Sequence, residues 1–128
     1  MSTKDRLHVM VVDDMSTSRA LITQALDEIG IVNYRSENDG AAAMRSLSAS
    51  PVHLVISDYN MPGVDGLQLL EALRRNKVTQ RIGFILITGR ADQEIIDKGR
   101  KLAMNNFLRK PFSVIDLKAC IEKVVGKL

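Results

Sequence analysis

Three segments of this chain, residues 7–12, 52–57 and 82–87, are apolar at nearly every position. A strand with one wet face alternates polar and apolar residues. One without that alternation has to be covered on both faces, the condition of a parallel sheet sandwiched between helices. Each run gives way to a polar residue, at Asp13-Asp14, Asp58 and Thr88, and a stretch of helical periodicity follows. This pattern restricts the fold more than any other property of the sequence.

Two weaker strands complete the set. Residues 33–37 are polar enough for a sheet edge, and residues 106–109 run into Lys110-Pro111. The first helix, with Ser16 as its expected cap and Gly30 as its stop, repeats Leu21, Ile22, Ala25, Leu26 and Ile29. The second follows Asp39-Gly40, carries Ala43, Met44 and Leu47 on one side, and is closed by Pro51. Leu67, Leu70 and Leu73 mark the third. The fourth, residues 92–102, has a face of Ile95, Ile96 and Leu102 but holds Gly99 inside, at a cost of about 1 kcal/mol. Ser113 with Asp116 makes a capping-box start for the last helix, which directs Leu117, Cys120, Ile121, Val124, Val125 and Leu128 inward. The expected fold is α/β: a (βα)5 flavodoxin-like, doubly wound parallel sheet with strand order 2-1-3-4-5 and helices on both faces. At 128 residues, without repeats or linkers, the chain is expected to form one domain, 1–128.

Composition excludes several function classes. The single cysteine, Cys120, forbids an internal disulfide and fits a reducing compartment; within an apolar helical stripe it reads as a packed core thiol. The opening run ends at Asp13-Asp14, too short and acidic for a signal peptide, and no run approaches the ~20 apolar residues of a membrane span. A soluble, cytoplasmic protein is expected. Formal charge is only +3, from 18 basic and 15 acidic side chains. The basic groups at Arg74, Arg75, Lys77 and Arg81, and at Lys98, Arg100 and Lys101, lack interleaved aromatics. They read as solvated helix faces rather than a nucleic-acid footprint.

In the expected topology the crevice lies beyond the strand ends, at the switch point between the first and third strands. Asp13, Asp14, Asp58, Thr88 and Lys110 would all rim it. Two carboxylates ~4 Å apart repel by about 4 kcal/mol at an effective dielectric near 20, so such a pocket takes up protons or a cation. Oxygen-only donors, few in number, favour Mg²⁺. A carboxylate beside Mg²⁺ can attack phosphorus to give an aspartyl phosphate, a transfer that needs positioning and charge neutralisation above all. Lys110 offers a point charge and Thr88 a hydroxyl donor, and the Lys110-Pro111 bond is open to the cis form. Taken singly, each residue has a plainer reading: turn and cap for Asp13 and Asp14, turn start for Asp58, strand end for Thr88, solvated tip for Lys110. Their convergence on one edge is what favours chemistry.

Val11-Val12-Asp13-Asp14, Ile56-Ser57-Asp58-Tyr59-Asn60-Met61-Pro62-Gly63-Val64-Asp65-Gly66, Ile87-Thr88 and Lys110-Pro111-Phe112 together resemble the signature of response-regulator receiver domains, and the likeness extends over essentially the whole chain. The resemblance is strongest to stand-alone chemotaxis members, which lack an output domain. It implies that Asp58 accepts a phosphoryl group from a sensor histidine kinase, CheA-like. It also implies that Asp14, Asp58 and the backbone carbonyl of Asn60 hold Mg²⁺, with Asp13 acting through a water. Thr88 and Lys110 would bind the phosphoryl oxygens, and Thr88 with Phe107 would form a switch.

Phe107 stands where relatives usually carry Tyr and brings no hydroxyl; the alternative for it is a plain core aromatic. Gly89-Arg90 and Ala103 are further departures, and Arg90 over the pocket would alter the lifetime of the phosphoryl group. The implied protein is a monomeric switch, not a turnover enzyme. Its surface of fourth helix, fifth strand and last helix would bind a partner such as the flagellar motor switch protein or a phosphatase. One alternative is a phosphate sink for a kinase shared with another regulator. Another is a Mg²⁺-dependent aspartyl-nucleophile phosphatase, although Asn60 cannot supply the proton that a second Asp gives there. A flavin or nucleotide carrier would want a Gly-rich loop where Asp13-Asp14 stand.

Overall fold

The computed structural model describes residues 2–89 and 92–128. Strands β1 (His8–Val12), β2 (Asn33–Glu37), β3 (Leu54–Asp58), β4 (Gly83–Thr88) and β5 (Asn106–Arg109) form one parallel sheet in the order β2-β1-β3-β4-β5. Among the described residues the helices are α1 (Thr3–Arg6), α2 (Ser16–Ile29), α3 (Gly40–Ala49), α4 (Gly66–Arg75), α5 (Gln93–Lys101) and α6 (Val114–Val125). No helix among them is long and apolar enough to cross a membrane.

Because the central strands lack polar alternation, each feeds two cores. On one face Val9, Val11, Leu54, Ile56, Ile85 and Ile87 meet Ile22, Ala25 and Leu26 of α2 and Leu117, Cys120 and Ile121 of α6. On the other, Met10, Val12, Val55, Phe84 and Leu86 meet Ala43 and Leu47 of α3, four leucines of α4 and Ile95 of α5. The edge strand β2 is only partly covered, as its polar sequence requires.

Several boundaries differ from those expected. α1 is a helical turn that apolar periodicity could not show; the Asp5 carboxylate accepts from Ser2 N and Oγ. Ser16 is the first residue of α2 rather than its cap, a position held by Met15 with no side-chain bond. The Asp13 carboxylate accepts the Met15 N–H instead, at 3.0 Å, so an inner acid serves where a serine was expected. β3 and β4 extend to include Asp58 and Thr88. The last helix stops at Val125, with Gly126 in a positive-φ conformation, so Leu128 packs from outside it. Ser113 and Asp116 do form the reciprocal capping box.

Arg74 also leaves the solvated face assigned to its cluster. Its guanidinium donates to the carbonyls of Gln80, Ile82, Leu102 and Ala103 and to Asn105 Oδ1. The carbonyls left open at the end of α5 thus bind a planar fork of donors from α4. Gly99 has a packing role, since a β-carbon there would stand 2.7 Å from Met104 Sδ.

Two predictions follow from this framework. Ala103, just past α5, adopts φ 59°, the left-handed region that an alanine occupies at a cost. Ala103→Gly is expected to raise unfolding free energy by about 0.5–1 kcal/mol in denaturant titrations. Cys120 is buried, its Sγ lies 3.7 Å from the Phe107 carbonyl, and burial pushes its thiol up to about 11. Native protein at about pH 8 should therefore resist alkylation by iodoacetamide, and denatured protein should react fully.

Candidate functional site

The site is built by the ladder running one residue past the strands. The backbone N–H of Asp13 donates to Glu37 O at 3.2 Å, that of Tyr59 to Ile87 O at 2.8 Å, and that of Lys110 to Thr88 O at 2.9 Å. Register places Val12 beside Ser57, Asp58 beside Ile87, and Thr88 beside Arg109. Asp13, Asp58, Thr88 and Lys110 therefore stand on one edge of the sheet, as the sequence pattern required.

Asp13 is wholly buried, Asp58 is 7 % exposed, and Asp14 is exposed at the rim. The three acids each offer an oxygen within 4.8 Å of the others. Against them stands Lys110, its Nζ 2.9 Å from Asp58 Oδ1 and 4.0 Å from Asp13 Oδ2. Burial is the largest influence on Asp58 and lifts its carboxyl above the ordinary 3.8; the Lys110 hydrogen bond and charge oppose this, and the Asp13 and Asp14 charges add to it. Asp13 Oδ1 accepts the Met15 N–H, whereas Asp13 Oδ2 is buried without a hydrogen bond. A buried carboxylate oxygen lacking a donor is an acceptor waiting for a cation. With two further carboxylate oxygens nearby, the donor set is hard and anionic and fits Mg²⁺.

The loop after β3 is tied at several points. Met61 is buried in the second core, Pro62-Gly63 turn the chain with Gly63 at φ 77°, and Asp65 with Gln68 caps α4 reciprocally. Gly66 is demanded by close approach, because a β-carbon there would lie 2.6 Å from Asp58 O. Asn60 is exposed two residues beyond Asp58. Thr88 is buried at the end of β4, 3 % exposed. Phe107 is half-buried and packs against the second core. Lys110-Pro111 is cis. Arg90 lies outside the described residues.

Sequence reasoning missed two residues that complete the pocket. Arg19 Nη1 donates to Asp13 O at 2.7 Å, and Lys110 Nζ donates to Ser18 Oγ at 3.0 Å. Both lie on α2, where a polar residue between apolar repeats carries no signal of what it faces.

Residues 9–122 match the family model described as the response regulator receiver domain. The chain belongs to that family. This receiver chain is 41% identical over 128 residues to a "Probable chemotaxis protein CheY" of Rhizobium etli, covering 100% of this chain and 99% of that one. The solved chemotaxis protein CheY4 of Vibrio cholerae superposes with a TM-score of 0.86 at 24% identity, covering 92% of this chain and 98% of that one. The receiver domain of the sensor histidine kinase PA1611 of Pseudomonas aeruginosa, solved with a magnesium ion coordinated in its active-site cleft, gives a TM-score of 0.81 at 24% identity, with 94% and 98% covered.

The raised Asp58 carboxyl has a consequence for stability. A folded acid titrating above its unfolded value binds protons on folding, so its ionised form weighs against the fold at neutral pH, a cost that fades as pH falls through the raised folded value and is gone below 3.8. Asp58→Asn is therefore expected to melt above wild type at about pH 7 without divalent cations, the gap closing toward about pH 4 in thermal scans.

Proposed function

We propose that this receiver chain is the phosphorylation-dependent switch of a two-component relay of the chemotaxis type, with Asp58 as phosphoacceptor. The observation that carries the reading is the Asp58 carboxylate at the strand end, with Lys110 Nζ 2.9 Å from one oxygen and two further acids within 4.8 Å. The likeness to the probable chemotaxis protein of Rhizobium etli supports the chemotaxis assignment.

In the proposed transfer an Asp58 oxygen attacks the phosphorus of a phosphohistidine on a CheA-like kinase. The new O–P bond makes an acyl phosphate as the P–N bond breaks, and the electron pair leaves with the imidazole nitrogen. Mg²⁺ held by Asp13, Asp14, Asp58 and the Asn60 carbonyl would neutralise charge on the phosphoryl oxygens, the role seen for such ions in phosphoryl transfer generally. Lys110 already contacts Asp58 Oδ1 and would meet one phosphoryl oxygen as a point charge. Thr88 supplies the hydroxyl for another. Asn60 cannot act as a general acid, which supports a switch over a turnover phosphatase.

The signal then passes through Thr88 and Phe107 to the surface of α5, β5 and α6, two arrangements of which differ in partner affinity. Phe107 conveys the change by packing alone, since it has no hydroxyl to offer. The partner is a flagellar motor switch protein, and the chain works as a monomer in the cytoplasm; service as a phosphate sink is the competing outcome.

Incubation with a small acyl phosphate and Mg²⁺, read by intact mass, should add one phosphate to wild type and none to Asp58→Asn; equal gain by both removes Asp58 from the role. Beryllofluoride-loaded protein should retain the motor switch protein in pull-downs better than the apo form, and equal retention rejects the motor partner in favour of the sink.

A further inference from the structure

We infer that Ser18, outside the motifs that mark the site, is a positioning residue: its hydroxyl holds the Lys110 ammonium away from Asp13 and so leaves the inner carboxylate open to a divalent cation. The inference deepens the reading of the acidic pocket given above and rests on it.

The geometry around Lys110 Nζ carries the argument. An ammonium has three N–H donors and no acceptor. Two acceptors lie within hydrogen-bond range, Asp58 Oδ1 at 2.9 Å and Ser18 Oγ at 3.0 Å. A third, Asp13 Oδ2, stands off at 4.0 Å and has no hydrogen bond, although Asp13 is fully buried. Leaving such an oxygen unsatisfied is costly, and the ammonium is the nearby donor able to relieve it. What opposes that shift is a hydroxyl reaching across from another element, 92 residues away in sequence.

Ser18 is well placed to resist. It lies in the first turn of α2, a helix fixed to the sheet by the buried Ile22, Ala25 and Leu26. The other Asp13 atoms are tied as well, Oδ1 by Met15 N–H and the carbonyl by Arg19. Asp13 cannot easily swing to meet the lysine, so the distance is set by where Lys110 rests, and Ser18 sets that. Without the hydroxyl the ammonium is released to shift toward Asp13 Oδ2, where its unused donor comes into range. One ammonium would then bind both buried carboxylates, competing directly with a cation for the same oxygens. Ser18 thus separates two tasks of Lys110: it stays on the Asp58 carboxylate without neutralising Asp13.

Calorimetric titration of the full chain with MgCl₂ tests this, using wild type, Ser18→Ala and Ser18→Thr, with phosphate gain at saturating Mg²⁺ as a second readout. Ser18→Ala is expected to bind Mg²⁺ about tenfold more weakly, and to recover phosphate uptake when Mg²⁺ is raised to saturation. Ser18→Thr, which keeps the hydroxyl, should bind like wild type. A space-filling role for Ser18 would leave Mg²⁺ affinity unchanged. Equal affinity in Ser18→Ala and wild type, or equal weakening in Ser18→Thr, overturns the inference while leaving Asp58 as acceptor. Failure of wild type itself to bind Mg²⁺ overturns the reading of the whole pocket. Should Ser18→Ala unfold, Ser18→Val against Ser18→Thr makes the same comparison with side chains of equal shape.

Discussion

The mutual repulsion of acids gathered at one end of a parallel sheet is the constraint around which this molecule is arranged. Asp13 and Asp58 are buried and Asp14 stands at the rim, all offering oxygens within 4.8 Å. In isolation such a cluster would loosen the fold around it, since close like charges cost several kcal/mol in a partly buried setting. Lys110 offsets part of that cost by reaching across from the end of β5, two strands from Asp58, and backbone donors and the Arg19 grip on Asp13 O fix the rest of the frame. The Asp58 carboxyl is still lifted, by burial above all and by the Asp13 and Asp14 charges to a smaller degree, against the opposing pull of Lys110. A site left short of positive charge in this way is prepared for a cation and for a group that brings further oxygens.

The frame can bear this because the two cores do not depend on it. Both faces of β1, β3 and β4 are packed by aliphatic side chains, and the charged edge begins only where those strands end. Stability and chemistry are thereby assigned to different levels of the same strands, a division that open α/β sheets make available through their crevice beyond the strand ends.

Much of this was legible in the sequence because the relevant signals are local. Unbroken apolar runs fixed the central strands, helical repeats fixed the packed faces of α2, α4 and α6, and the polar residue closing each run pointed to the site. Ser113 with Asp116 was readable as a cap for the same reason. The remainder depends on partners distant in the chain. Ser16 looked like a cap, but a buried acid two residues from the helix took over that part of the bonding. Arg74 looked like surface charge, yet its acceptors come from turns up to 31 residues away. Ser18 carried no sign of facing Lys110, because a serine on a helix reads alike whether it meets solvent or an ammonium. Ala103 was visible as a departure from the family pattern, but its left-handed backbone was not.

The Arg74 fork has a mechanical implication for the surface that includes α5. By joining the end of α4 to Leu102, Ala103 and Asn105, it pins the lower corner of α5 to its neighbour. Any displacement of that helix then pivots about a hinge at its far end, with the largest excursion nearest the acidic edge. The lever arm is the helix itself, and its fulcrum is an arginine whose acceptors include Gln80 and Ile82, at the end of the sheet away from the acids.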